Sequence, residues 1–423
     1  MARPPVDVRV TRDDDGVIRV AAGGAGPDFT LAVLDVAGAV LTWPVLGDPG
    51  PPTAEIHDVA RAQQWLWAVY GERVASAVHA CATGEQPSGA RVPVDPTTLA
   101  ADAARLAFAH WAARWWPASH LDGIPELQPD VLGLELAALT HQCQQLFDGS
   151  GGAFGDLGDL GDQPDDCAAE LIEDHLAALD QLIRWWRTAS TGTAHQLERV
   201  LRLIDDAADG AGLDGPELRR LRSLLDRSNP AATAPPDPGS LFARSGDYAL
   251  AAGEQHVAGG RLIARGPGTN DWRRYPPGLV DASETAVSWT ARALGARRQI
   301  EVDVVAHSAA PATGAPLAAE VRVNDGPHTR VALARRDDMW TGRADLDLPP
   351  GESRPRVELG VLLPGFDPGP GPDTSAERDA IRALVRRRLA AAAQPVVNDA
   401  LPPGGSSGPF LAEIAAATTD EDY

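Results

Sequence analysis

The first fifty residues alternate. Val6, Val8 and Val10 take every second position, the "DDDG" run at 13–16 supplies a tight turn, and "VIRV" resumes the pattern. A period of two puts those side chains on one face of an extended chain, so the stretch predicts a β-hairpin. "DFTLAVLDVAGAVLTWPV" carries the same signature to about residue 46, where the Pro-rich "GDPGPPT" closes the block. Residues 1–50 read as a small N-terminal β unit.

From 51 to 228 the period lengthens to that of a helix. Ile56, Val59, Leu66, Val69 and Val78 recur at helical spacing up to Gly84. Further helices are predicted from Pro96 to Trp116, from Asp130 to Phe147 and from Pro164 to Arg187, and "TAHQLERVLRLIDDAADG" and "GPELRRLRSLLDRS" supply two more. Amphipathic helices joined in this way predict an all-α helical bundle. "NPAATAPPDPGS" at 229–240 has almost nothing to bury and reads as a linker.

Beyond the linker the period returns to two. "TAVSW", "RQIEVDVVAHS", "AAEVRVNDG", "HTRVALARR", "MWTGRADLDLPPG" and "RVELGVLLPGF" are short runs separated by turn residues. Such spacing predicts a C-terminal immunoglobulin-like β-sandwich over 241–370. A terminal helix over 371–394 and a flexible acidic tail over 395–423 complete the chain. The fold class expected is multidomain α+β.

Composition narrows the function. At 423 residues the chain is too long for one ordinary core. Its 37 basic residues are all arginine, and against 59 acidic ones they leave a net charge of −22. That charge repels a phosphate backbone, which argues against nucleic acid and favours a cationic protein surface as partner. Cys81, Cys143 and Cys167 are too few and too scattered for a disulfide framework. The N-terminus has no apolar leader and no apolar run reaches membrane length, so no membrane association and a cytoplasmic location are expected.

The densest stretch is "HWAARWWPASHLDGIP" at 110–125. Phe108, Trp111 and Trp115 share one helix face and predict a core stripe. Trp116 falls off that stripe, and His120 and Asp122 follow Pro117 in a loop. These three are candidate partner contacts. So are Phe410, Leu411 and Ile414, one apolar helical turn behind the Gly- and Ser-rich "LPPGGSSG", expected to dock into a partner's groove.

Catalytic and metal chemistry find little support. His79 with Cys81, and His141 with Cys143, stand two apart, about 200° around a helix, and cannot chelate one ion. Glu170 and Asp174 share a face beside His175, as the solvated side of an amphipathic helix also would. "GDLGDLGDQPDD" at 155–166 lacks the spacing of a calcium loop. "GAGLDG" follows a helix where a dinucleotide site needs a strand, and "GGSSG" lies in a tail that cannot strain a nucleophile. No catalytic residue, cofactor or metal ligand is assigned.

Asp206, Asp209, Gly210 and Glu217 within "LRLIDDAADGAGLDGPELRRLRSLL" give residues 201–225 a local resemblance to the helix hairpins of TerB-like domains. As a whole, a helical region joined to a strand-rich one ending "VELGVLLPGFDPGP" resembles actinobacterial accessory proteins encoded beside MoxR-type AAA+ ATPases and von Willebrand factor A proteins. That resemblance implies a protein partner of one of those two kinds. The reading the sequence favours is a non-catalytic adaptor in a bacterial multi-protein system. The alternative is a metal-assisted hydrolase with His110, His120, Asp122, Glu170, Asp174 and His175 converging between helices.

Overall fold

The computed structural model describes residues 6–21, 28–47, 50–85, 89–95, 97–147, 164–227, 260–308, 310, 316–324, 326–346, 355–366, 374–394 and 408–418. The architecture mixes helices with antiparallel sheets in two compact units. Unit 1 comprises Met1–Ala113, Leu127–Ala243 and Arg387–Tyr423, and unit 2 comprises Arg114–Glu126 and Arg244–Arg386. The stretch 114–126, expected among the helices, therefore groups with the strand-rich unit. The linker predicted at 229–240 and the acidic loop at 155–163 lie outside the described residues.

Unit 1 is built on a six-stranded antiparallel sheet in the order β3-β4-β5-β2-β1-β6. Its strands are β1 (Val6–Arg12), β2 (Ile18–Ala21), β3 (Leu31–Val36), β4 (Ala39–Pro44), β5 (Thr53–Ile56) and β6 (Ala90–Val94). The expected hairpin is β1–β2. Asp13 accepts the Val17 N–H at 2.8 Å, and Gly16 turns the chain at φ +86°, where a side chain would be strained. Val8, Val10, Ile18 and Val20 all point to the buried face.

The sheet does not end at residue 50. β5 and β6 fall inside the stretch predicted to be helical, because pairing with β4 and β2, and with β1, outweighs local spacing. Ile56, which shares a helical period with Val59, lies opposite Ile18 and Ala39 instead. The single helix expected up to Gly84 is two, α1 (Val59–Tyr70) and α2 (Glu72–Thr83), separated by Gly71 at φ +84°.

The remaining helices of unit 1 are α4 (Pro129–Gln142), α5 (Pro164–His175), α6 (Leu179–Trp186), α7 (Thr191–Gly210), α8 (Pro216–Leu225), most of α3 (Thr98–Trp115), the end of α9 (Ser375–Ala392) and α10 (Leu411–Thr418). α4 stops at Gln142, short of the expected Phe147, and a single tighter turn follows at Gln144–Leu146. The helix predicted over 164–187 likewise breaks into α5 and α6. In α4 every residue from Val131 to Thr140 is buried. Gly133 is required there: a Cβ would stand 2.0 Å from Cδ2 of His175, whose Nδ1 lies 3.1 Å from Asp130.

Unit 2 contains a five-stranded sheet, β12-β13-β9-β8-β7, and a three-stranded one, β11-β10-β14, both antiparallel. The strands are β7 (Arg261–Pro267), β8 (Val287–Leu294), β9 (Arg297–Val305), β10 (Ala318–Val323), β11 (Thr329–Ala332), β12 (Ala334–Arg336), β13 (Met339–Asp345) and β14 (Val357–Leu362). They arise where the period-two runs predict them: Ile300, Val302 and Val304 of β9 are fully buried. Among the described residues, no helix is long and apolar enough to cross a membrane.

Candidate functional site

Two places in unit 1 present functional geometry. The first is the seat of α10. Glu135, within the fully buried stretch of α4, is 2 % exposed, and its two oxygens accept the backbone N–H groups of Leu411 at 2.8 Å and Ala412 at 3.0 Å. Those N–H groups open α10 and have no partner within their own helix, so a carboxylate is the complement they require. Complete burial pushes the Glu135 carboxyl up to about 7, despite the opposing pull of the Arg105 guanidinium at 3.8 Å and the two N–H donors.

Two arginines frame the same segment. Arg105 donates to the carbonyls of Gly408 at 2.7 Å and Pro409 at 3.2 Å, and its guanidinium lies 4.4 Å from the Phe410 ring centre. Arg388 pairs with Glu413 at 2.5 and 2.7 Å and stacks on both Phe108 and Phe410. Glu413 itself, 0 % exposed, reaches back to accept the Phe410 N–H at 2.7 Å, closing the helix start.

The second place is the edge of β3, the outer strand of the sheet among the described residues. Val36 and Ala39 close a two-residue turn onto β4, which makes them a hydrogen-bonded pair. Alternation along the ladder then aims the N–H and C=O groups of Leu31, Val33 and Asp35 away from β4. Among the described residues no other backbone meets them, whereas the Ala37 N–H, just past the strand, is taken by the Leu146 carbonyl at 2.9 Å. A cleft of about 770 Å³ runs along this edge, lined by Val33, Asp35, His57, Arg61, His110 and Cys167 among others. Val33 is 48 % exposed. Solvent reaches the His110 ring in the cleft, yet the protein around it disfavours the imidazolium and lowers its pKa.

No protein-family model matches this chain, and neither a curated protein nor a solved structure does.

The residues singled out in the sequence are distributed differently from expectation. Trp111 is core, with its indole N–H on the Phe29 carbonyl at 2.8 Å. Trp115 is only half-buried: α3 ends there, and the Arg114 guanidinium covers its ring. Trp116 is half-buried too and donates to the Pro125 carbonyl at 2.9 Å.

His120 and Asp122 lie on a braced loop of unit 2. Asp281, 2 % exposed, accepts Ser119 Oγ and the His120 N–H, both at 2.7 Å, the Leu121 N–H at 3.3 Å and the Ser283 N–H at 2.9 Å. Asp122 in turn faces Arg382 at 3.5 Å and Arg386 at 3.6 Å. The loop is fastened on both sides, while the His120 side chain stays exposed.

Phe410, Leu411 and Ile414 are 1, 0 and 7 % exposed, so the apolar turn expected to dock into a partner's groove is instead folded against its own unit. The helical spacing was legible; the cavity that swallows it was not. Of the six side chains of the hydrolase alternative, His110, Glu170, Asp174 and His175 belong to unit 1 and His120 and Asp122 to unit 2. Among the described residues, no three His, Cys, Asp or Glu side chains gather where they could hold a metal ion. Sequence reasoning passed over Glu135, although one signal was present: a lone carboxylate in the apolar run "VLGLELAAL".

Proposed function

We propose that the protein is a non-catalytic interaction protein, an adaptor in a cytoplasmic bacterial multi-protein system, and that it grips an extended partner segment along β3. The observation that carries this reading is the edge of β3 above the 770 Å³ cleft, which no other strand pairs among the described residues. Three outward-facing backbone positions offer main-chain hydrogen bonds to an added strand, and the cleft beside them offers side-chain pockets for specificity.

On this reading the helices of unit 1 form a bundle around α4, and the two sheets of unit 2 form an immunoglobulin-like β-sandwich. Two antiparallel sheets with alternately buried positions support the second assignment. Nearly all of the net negative charge falls within the sequence of unit 1, which suits a partner with a cationic surface. An AAA+ ATPase or a von Willebrand factor A protein is the partner to test first.

Asp35→Pro is the discriminating variant. It removes an N–H that points away from β4, so the native ladder survives while strand addition is blocked. With a photo-crosslinking side chain at position 33 in producing cells, a discrete adduct should form and disappear in the Asp35→Pro background. An adduct of undiminished yield there would refute the reading.

A further inference from the structure

We propose that the cleft along β3 receives a chain end: it takes the last residues of a partner protein as a parallel strand and holds their terminal carboxylate beside Arg61. The inference rests on the strand-addition reading of β3 and goes on to fix the end, the direction and the side-chain pattern of the added segment.

The need for an end follows from the shape of the edge. β3 runs from Leu31 to Val36 toward the Ala37–Gly38 turn, and its outward N–H and C=O groups are those of Leu31, Val33 and Asp35. The next donor, the Ala37 N–H, is already bonded to the Leu146 carbonyl at 2.9 Å. The chain at Leu146 and Phe147 therefore closes this end of the edge, and Phe147 forms part of the cleft wall. A segment paired with β3 cannot run on past Val36. It must turn away or stop there, and a chain terminus stops without needing a turn.

The charge at the closed end selects which terminus. Gly38 lies against the first turn of α1: its carbonyl accepts the N–H groups of His57 and Asp58, both at 3.0 Å, and a Cβ on it would stand 3.0 Å from Cβ of Arg61. The amide groups that open α1 give this corner a partial positive charge, and Arg61 adds a full one. The Asp58 carboxylate is engaged in capping the helix, accepting the Arg61 N–H at 3.1 Å. Among the described residues, the Arg61 guanidinium and the His57 ring enter no hydrogen bond or ion pair, and both residues are exposed. An exposed guanidinium grips a carboxylate by two parallel N–H donors, whereas it would repel an N-terminal ammonium. A carboxylate at the turn means that the segment runs in the same direction as β3, so the pairing is parallel.

Alternation then sets the side chains. Val33 and Asp35 face solvent, and Leu34 and Val36 face the helices. A segment ending opposite Val36 places its penultimate side chain beside Asp35, which has no ion pair among the described residues. The side chain two positions earlier lies beside Val33, and the one between them turns to the helix side of the cleft, toward Phe147 and Leu171. The chain end that fits therefore reads apolar, apolar, basic and then any residue carrying the terminal carboxylate. Its basic residue agrees with a cationic partner for the acidic unit 1.

The test offers the full chain two displayed libraries of random heptapeptides. One ends in a free carboxylate; the other carries the same seven positions ahead of a fixed C-terminal extension. The free-end library should enrich, with Arg or Lys at the penultimate position. Peptides synthesised from that pool, with fluorescein at the N-terminus, should lose about tenfold in affinity by fluorescence anisotropy when the C-terminus is amidated. Arg61→Gln should cost the free acid a similar factor and the amide nothing, Asp35→Asn should erase the basic preference, and Asp35→Pro should abolish binding. Equal enrichment of both libraries, with acid and amide equally tight and both blocked by Asp35→Pro, would overturn capture of a chain end and leave strand addition standing. Enrichment of neither library, or binding indifferent to Asp35→Pro, would overturn both.

Discussion

Phe410→Ala tests the seat of α10 most directly. The ring is 1 % exposed, stacks on Phe108 at 6.0 Å between centroids and lies beneath the guanidinium groups of Arg105 at 4.4 Å and Arg388 at 5.5 Å. Truncating a buried phenylalanine costs about 3–5 kcal/mol, and losing a desolvated cation–π contact adds roughly 0.5–2 kcal/mol. Arg105 keeps its hydrogen bond to the Gly408 carbonyl and Arg388 its ion pair with Glu413, so these polar contacts survive while the aromatic ring is lost. A local loss of about 3 kcal/mol is a factor of roughly one hundred in the opening equilibrium. Hydrogen–deuterium exchange read by mass spectrometry should show that acceleration over residues 410–418. The β1–β2 hairpin and α1 should keep the protection of the unaltered chain. Unchanged protection of 410–418 would refute the packing argument. Equal loss throughout unit 1 would refute local opening, showing that the segment unfolds only with the rest of the unit.

Gly133→Ala gains helix propensity but drives a Cβ to within 2.0 Å of the His175 ring, so the melting temperature should fall, with a loss of about 1–3 kcal/mol in denaturant titration. Asp281→Ala leaves four donors around a buried site without their acceptor. At about 1–3 kcal/mol for each group left unsatisfied, unit 2 should be strongly destabilised, and proteolysis should reach the 116–124 loop first. Glu135 predicts a pH dependence. Its folded value of about 7 stands above the ordinary 4.5, so the folded chain holds a proton that the unfolded chain releases. Stability should therefore be higher at pH 4.5 and decline as pH rises to 7, by up to about 3 kcal/mol relative to Glu135→Gln, which carries no such proton. A flat difference between the two chains across that range would rule out the shift.

What the sequence determined by itself is the local grammar. The alternation of Val6, Val8 and Val10 with a Gly-terminated turn is enough to specify β1–β2, and Ile300, Val302 and Val304 are enough for β9, because a period of two has one extended solution. Trp111 was legible as core by the same logic applied to a helix. Tertiary structure decided the rest, wherever distant residues compete for one position. Thr53–Ile56 became a strand because β2 and β4 left a vacancy between them, and no spacing within "TAEI" encodes that vacancy. Residues 114–126 joined unit 2 because Asp281, more than a hundred and fifty residues later, supplies the acceptor for their amides. β3 became an edge because of strand order, which local pattern does not contain. The C-terminal turn "PFLAEI" shows the division most clearly. Its amphipathic character is written in six letters, but its burial depends on a carboxylate at 135 and arginines at 105 and 388, brought together only by the folded chain.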